Sequence, residues 1–135
     1  MITAVDTSVL IDVFGPDPRF GHQSADALRR CLNEGAVVAC DVVWSETRGA
    51  FSNHDLFLGA IRSLNIGFSA LSEGAAIDAG AVWKKYRTAG GKRDRMIADF
   101  LIGAHAATLC DRLLTRDRGY YKKYFGGLVI LGPTA

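Results

Sequence analysis

Short apolar runs alternate along this chain with stretches of helical periodicity. Residues 2–5, Ile2-Thr3-Ala4-Val5, form a β-prone run ending at Asp6, and residues 7–13 read as the first turns of a helix. Gly15-Pro16-Asp17-Pro18 breaks the chain before a second helix over 24–34, where Ala27, Leu28 and Leu32 fall at helical spacing and Gly35 is the stop. A strand is predicted over 36–40. Asp41 is placed to cap a helix through Val42, Val43, Glu46 and Ala50; residues 54–64 offer another helix and 66–68 a short strand. Ser72 and Glu73 open a long helical pattern through Ile77, Val82 and Trp83 that ends at Gly90-Gly91, and Asp94 or its neighbour starts one more, running to about Leu109. The last apolar runs, 113–115 and 128–131, read as strands flanking a short aromatic and basic helix. Short apolar strands separated by helices predict an α/β fold whose parallel sheet is covered on both faces. With no repeat, low-complexity tract or linker, one domain spanning 1–135 is expected.

Composition adds limits. At 135 residues, 49% hydrophobic and 22% charged, the chain has the make-up of a compact domain and needs no disulfide or structural metal to fold. Cys31, Cys40 and Cys110 are odd in number and lie in no zinc or C-x-x-C spacing, which points to reduced thiols. Apolar stretches are broken well before the ~18 residues of a membrane span, and the first residues lack the layout of a signal peptide. A cytoplasmic protein with no membrane association is expected.

Charge is segregated. Residues 1–83 carry five Arg against ten Asp and Glu, a balance of −5; residues 84–135 carry eleven Lys and Arg against four Asp, a balance of +7. The basic half has two clusters: Lys84, Lys85, Arg87, Lys92, Arg93 and Arg95, then Arg112, Arg116, Arg118, Lys122 and Lys123, the second interleaved with Tyr120, Tyr121 and Tyr124. Such a half suits a polyanion, although a solvated helix face would carry the same charges.

Four acidic residues stand where packing alone would not place them. Asp6 and Asp117 follow predicted strands, and the carboxyl ends of strands in an open parallel sheet are where ligands bind; each would also serve as a helix cap or turn residue. Asp99 lies inside Met96-Ile97-Ala98-Asp99-Phe100-Leu101-Ile102-Gly103-Ala104-His105, apolar on nearly every side. A buried carboxylate needs a positive partner, supplied either by a bound cation or by Arg95 one turn earlier. Gly103 and Ala98 beside it are small enough to admit another backbone or a ligand. Glu46, taken alone, is a surface residue with Arg48 as its partner; it matters as the fourth of the set.

Carboxylates converging on one sheet edge repel unless cations neutralise them, and magnesium suits all-oxygen sites. A bound metal acidifies water into a nucleophile, and two metals about 4 Å apart stabilise both oxygens of a phosphodiester displacement. An acidic metal pocket beside a basic half is the layout of a nuclease.

At this point a family resemblance becomes visible. Val5-Asp6-Thr7-Ser8-Val9-Leu10-Ile11-Asp12, the Glu46 helix, the segment from Arg95 to Ala106 and Leu113-Leu114-Thr115-Arg116-Asp117-Arg118-Gly119-Tyr120-Tyr121 together resemble a PIN-domain ribonuclease. More narrowly, they resemble a VapC-type toxin of a toxin–antitoxin pair. The resemblance spans the chain and implies a three-layer α/β/α sandwich with about five mainly parallel strands. It implies an endoribonuclease dependent on Mg²⁺ or Mn²⁺, an antitoxin that blocks the acidic pocket, and a homodimer. Asp6, Glu46, Asp99 and Asp117 match the family's catalytic, metal-holding quartet, and Thr7, Ser8 and Thr115 match hydroxyl residues that support it. Some relatives carry a further acid after the fourth; here Arg118-Gly119 stands there, which puts a second metal in doubt. Arg116, Arg118, Lys122 and Lys123 are the candidate phosphate contacts, and Asp94 reads as a helix cap before a ligand.

Other classes fit less well. A haloacid-dehalogenase-like phosphatase needs a second Asp where Ser8 stands, and no Walker, G-x-G-x-x-G or G-x-S-x-G pattern is present. His22, His54 and His105 have no paired metal spacing, and His105 on its apolar helix reads as a satisfied core group. Two alternatives within the fold are an inactive RNA-binding module and a housekeeping RNA-processing nuclease. Filled acidic positions weigh against the first.

Overall fold

The chain leaves strand β1 (Ile2–Val5) in one direction and returns to its other side much later, and this reversal places everything that follows. In the computed structural model, which describes residues 1–15, 17–91 and 97–133, α1 (Thr7–Phe14) and α2 (Gly21–Glu34) lead to β2 (Ala36–Cys40). Then α3 (Asp41–Arg48) and α4 (His54–Ser63) lead to β3 (Gly67–Ser69). Next α5 (Glu73–Thr88) and α6 (Ile97–Leu109) carry the chain across to β4 (Arg112–Leu114), and α7 (Arg118–Tyr124) connects to β5 (Val129–Leu131). The five strands are ordered β3-β2-β1-β4-β5, all parallel. Right-handed crossovers lay helices of steps toward β3 on one face and helices of steps toward β5 on the other, giving an α/β/α sandwich. Pro16 of the predicted break, the cap position Asp94, Arg95 as a partner for Asp99, Met96, and Lys92 and Arg93 of the basic cluster lie outside the described residues.

Apolar strands fit a sheet covered on both sides: Ala4, Val5, Ala39, Leu113 and Leu114 are all buried. Thr3 sits in register between Val37 and Arg112, and Ala4 between Val38 and Leu113. Near the amino edge the Arg112 guanidinium donates to Thr3 Oγ1 (2.8 Å) and meets Glu34 (3.0 Å), while the Ile2 amide donates to Asp111 (2.6 Å).

Several boundaries differ from the sequence reading. Asp41 does not cap α3: β2 runs directly into the helix, the extended Cys40 takes the cap position, and Asp41 becomes the acid of the first turn. That helix ends at Arg48, so Ala50 lies beyond it. α2 begins at Gly21, ahead of Ser24, because its first turn is polar and carries no apolar signal. Caps elsewhere follow expectation, with Ser72 Oγ accepting from the Ala75 amide at 3.1 Å. Gly35 ends α2, and the Met1 carbonyl lies so close that a Cβ there would overlap it. The space beside Asp99 at Gly103 admits no ligand; the Phe125 ring fills it. All three cysteines are free. Among the described residues no helix is long and apolar enough to cross a membrane.

Candidate active site

Because the strand order reverses between β1 and β4, a crevice opens at their carboxyl ends, the position where open α/β sheets take ligands. Asp6 lies at its floor. The Asp6 amide donates to the Leu114 carbonyl (2.9 Å), extending the ladder, and its side chain is turned inward at 7% exposure. One carboxylate oxygen accepts from the Thr7 amide (2.8 Å), so Asp6 does cap α1; the other accepts from Ser8 Oγ (3.0 Å) and Thr115 Oγ1 (2.7 Å).

Thr115 links two of the acids. Its amide is fixed on the Leu131 carbonyl (3.0 Å), its hydroxyl donates to Asp6, and the same oxygen accepts from the Asp117 amide (3.0 Å). Asp117 takes the cap position of α7 without a side-chain capping bond. Across the crevice Thr7 Oγ1 donates to Glu46 Oε1 (2.7 Å), joining α1 to the exposed face of α3. The partner of Glu46 is thus Thr7; Arg48 turns away to His54 Nδ1 (2.9 Å) and the Phe51 carbonyl (2.8 Å). Asp99, half-buried, is the third described residue of α6.

Three of these acids, Asp6, Asp99 and Asp117, act electrostatically on common neighbours. Burial pushes the Asp6 carboxyl above its ordinary 3.8; the hydrogen bonds from Thr115, Ser8 and Thr7 oppose the rise, and the charge of Asp99 adds to it. The buried Tyr121 phenol is pushed far up, first by burial and then by the charges of Asp6, Asp99 and Asp117. The charges of Asp6, Asp99 and Asp117 thus all act on one phenol. Among the described residues no Lys, Arg or His pairs with Asp6, and no three Asp, Glu, His or Cys side chains form a preformed metal cage. All-oxygen donors suit a hard cation, and magnesium sites commonly use one or two carboxylates and keep several waters, so the residues fit a hydrated Mg²⁺ or Mn²⁺.

The basic candidates divide. Lys122 and Lys123 are exposed on α7, Lys123 lying 5.4 Å from the Tyr124 ring centre, and the exposed Arg118 runs along Gly132. Arg116 points elsewhere, into an ion pair with Asp12. Tyr120 and Tyr121 are core residues: Tyr120 and Tyr124 join Tyr86 and Phe100 in a cluster with ring centres 5.3–6.1 Å apart. His105 is also a core group, bonded to Ser69 Oγ at 2.9 Å, with burial pulling its pKa down.

Asp12 was not singled out from sequence. It is almost wholly buried and bonded to Ser24 Oγ (2.7 Å) as well as Arg116. A signal existed: Asp12 is three residues after the buried Val9, and Ser24 precedes Ala27, Leu28 and Cys31 on the buried stripe of α2. Polar residues on two facing apolar stripes predict a bond between them.

A family model described as "PIN domain" matches residues 3–126. No curated protein sequence matches the chain significantly. Among solved structures, VapBC2 from Rickettsia felis, bound to a DNA fragment from its promoter, superposes with a TM-score of 0.75 at 13% identity, covering 98% of each chain. A toxin–antitoxin complex from Klebsiella pneumoniae gives 0.67 at 18% identity, also over 98% of each chain. VapC20 from Mycobacterium tuberculosis, a sarcin–ricin-loop-cleaving toxin, gives 0.58 at 13% identity, over 82% of this chain and 86% of that one. At these identities the likeness establishes the fold.

Proposed function

The chain belongs to the PIN-domain family, and we propose that it is a divalent-metal-dependent endoribonuclease, the toxin of a toxin–antitoxin pair. The observation that carries this reading is the buried Asp6, held by three neutral donors and facing the charge of Asp99 at a sheet switch point. Folding places a carboxylate there and leaves its neutralisation to something outside the described residues.

In this reading Asp6, Asp99 and Asp117 would hold Mg²⁺ or Mn²⁺, and Glu46 would be a further ligand directly or through water. Held there, a divalent cation would offer positive charge to a phosphodiester and a more acidic bound water. Thr115 fixes the relative placement of Asp6 and Asp117 by bonding both, and Thr7 does the same for Glu46. Ser8 fills a lone pair of Asp6 and so limits how the carboxylate can turn. Arg118, Lys122 and Lys123 hold the RNA backbone beside the crevice; these contacts position the strand without reading its sequence.

The likeness to toxin–antitoxin structures supports a protein antitoxin as the regulating partner, and the family resemblance adds a homodimer as the proposed working unit. Exposed Leu56, Phe68, Ile77 and Val129 provide apolar surface for such contacts.

The test incubates purified protein, freed of any co-purifying partner, with total RNA and end-labelled oligonucleotides in Mg²⁺ or Mn²⁺, against EDTA. Metal-dependent cleavage, lost in Asp6→Asn and Asp99→Asn, is expected. RNA binding without cleavage would make the chain an RNA-binding module, and cleavage surviving both substitutions would remove the acids from the chemistry.

A further inference from the structure

Arg116 stands between two residues of the crevice, Thr115 and Asp117, yet its side chain leaves the crevice. Its Nε lies 2.7 Å from Asp12 Oδ2, and its guanidinium carbon sits 4.2 Å from the centre of the Phe20 ring. The same Asp12 oxygen accepts from Ser24 Oγ at 2.7 Å. Asp17 is drawn in as well: its carboxyl is held below the usual range chiefly by the Phe20 and Arg19 amides, and the charge of Arg116 adds to this. One side chain from the loop after β4 thus engages α1, the segment joining α1 to α2, and the start of α2.

We infer that Arg116 is a positioning residue, a clamp on Asp12 and Phe20 that fixes the loop carrying Thr115 and Asp117. This rests on the nuclease reading above. A guanidinium is suited to the role because its edge serves a carboxylate while its flat face lies on an aromatic ring; an ammonium has no such face. The Asp12 side chain is 2% exposed and that of Arg116 is 34% exposed. Releasing Arg116 to a phosphate would leave the Asp12 carboxylate buried with only a hydroxyl partner, an expensive state for a charge. The clamp therefore competes with phosphate contact and prevails. Fixing Arg116 sets the direction in which its two neighbours leave the strand, and both belong to the acidic site: the Thr115 hydroxyl bonds Asp6 and receives the Asp117 amide.

The experiment compares Arg116→Ala, Arg116→Lys, Asp12→Asn and the double variant Arg116→Ala/Asp12→Asn. Four readouts are used: RNA cleavage split into kcat and KM, RNA affinity in EDTA across salt, Mn²⁺ affinity by titration, and amide hydrogen exchange at Thr115 and Asp117. The clamp predicts that Arg116→Ala loses about 10- to 100-fold in kcat and a comparable factor in Mn²⁺ affinity, as second-sphere residues do, with KM and RNA affinity within about twofold. Lysine restores neither, Asp12→Asn shows the same pattern, and the double variant is no worse than Arg116→Ala. The two amides exchange at least about tenfold faster in Arg116→Ala with neither metal nor RNA present. A rise in KM, a salt slope smaller by about one, and rescue by lysine would instead make Arg116 a phosphate contact and overturn the clamp. Unchanged kcat, Mn²⁺ affinity and exchange would overturn it too. If the wild type cuts no RNA, the nuclease reading falls, while exchange still decides whether Arg116 orders the loop. Should Asp12→Asn fail to fold, the Arg116 variants decide alone.

Discussion

Asp6 caps the eight-residue helix α1 and Asp12 lies within it, and both are buried, yet the protein treats them oppositely. Asp12 receives a guanidinium and a hydroxyl, so its charge is balanced within the fold. Asp6 receives one amide and two hydroxyls, all neutral, and feels the negative charge of Asp99. The nearest arginine in the chain to its partner Thr115 is Arg116, and that cation goes to Asp12. A buried acid that the fold neutralises is structural; on the reading proposed above, a buried acid that receives only neutral donors among the described residues and feels another carboxylate is prepared for a cation.

The sharpest way to break this contrast is Asp6→Asn, which keeps size and capping ability while removing charge. Cleavage should fall by more than the roughly 100-fold seen at the upper end for outer-shell partners. Stability of the metal-free chain should move the other way. A carboxyl whose folded pKa is raised above 3.8 contributes stability that is full below that value and is lost as pH rises through the raised one. In EDTA at neutral pH the variant should therefore melt higher than wild type by scanning calorimetry, the gap closing on acidification; a lower melting point would make Asp6 structural like Asp12.

Thr115→Val comes next, removing the hydroxyl shared by Asp6 and Asp117. A loss of about 10- to 100-fold in Mn²⁺ affinity is expected by titration calorimetry. Asp12→Asn probes the other aspartate, where hydrogen bonds to charged groups are worth ~1.5–3 kcal/mol; with Arg116 one-third exposed, a loss of about 1–2 kcal/mol is expected in urea denaturation. That sign is opposite to the one expected for Asp6→Asn. The smallest effects belong to Lys122→Ala and Lys123→Ala, each expected to weaken RNA binding a few-fold and to reduce the slope of log affinity against log salt by about one, read by anisotropy. Arg116→Ala should leave that slope unchanged.

Much of this was legible in the chain because it is local. An apolar run ending in an acid placed Asp6, and the approximate end of a strand placed Thr115 and Asp117, since strand length and turn residues act over a few positions. The core assignment for His105 followed from its apolar helix surroundings. What stayed hidden was pairing across distance. The charge run around Arg116 resembled a phosphate-binding surface because nothing near it in sequence announces Asp12, 104 positions away. Glu46 had Arg48 beside it, yet the crevice brought Thr7 instead, 39 positions earlier. The cap at Asp41 failed for a related reason: local preference favours an acid at the start of a helix, but the unbroken passage from β2 into α3 moved the cap back to Cys40.

The bond from Thr115 to Asp6 spans 109 residues, so the residues of β1 are made well before those of β4. Translation adds roughly 5–20 residues per second, so several seconds separate the appearance of the two groups on the ribosome. During that interval β1 has no β4 to pair with and the crevice does not exist. Until Asp117 has been added, a nascent chain lacks the last acid of the set altogether. On the nuclease reading proposed above, an enzyme that attacked RNA while still tethered to the translation machinery would endanger its own producer, and this strand order delays assembly of the acidic centre until β4 has been made.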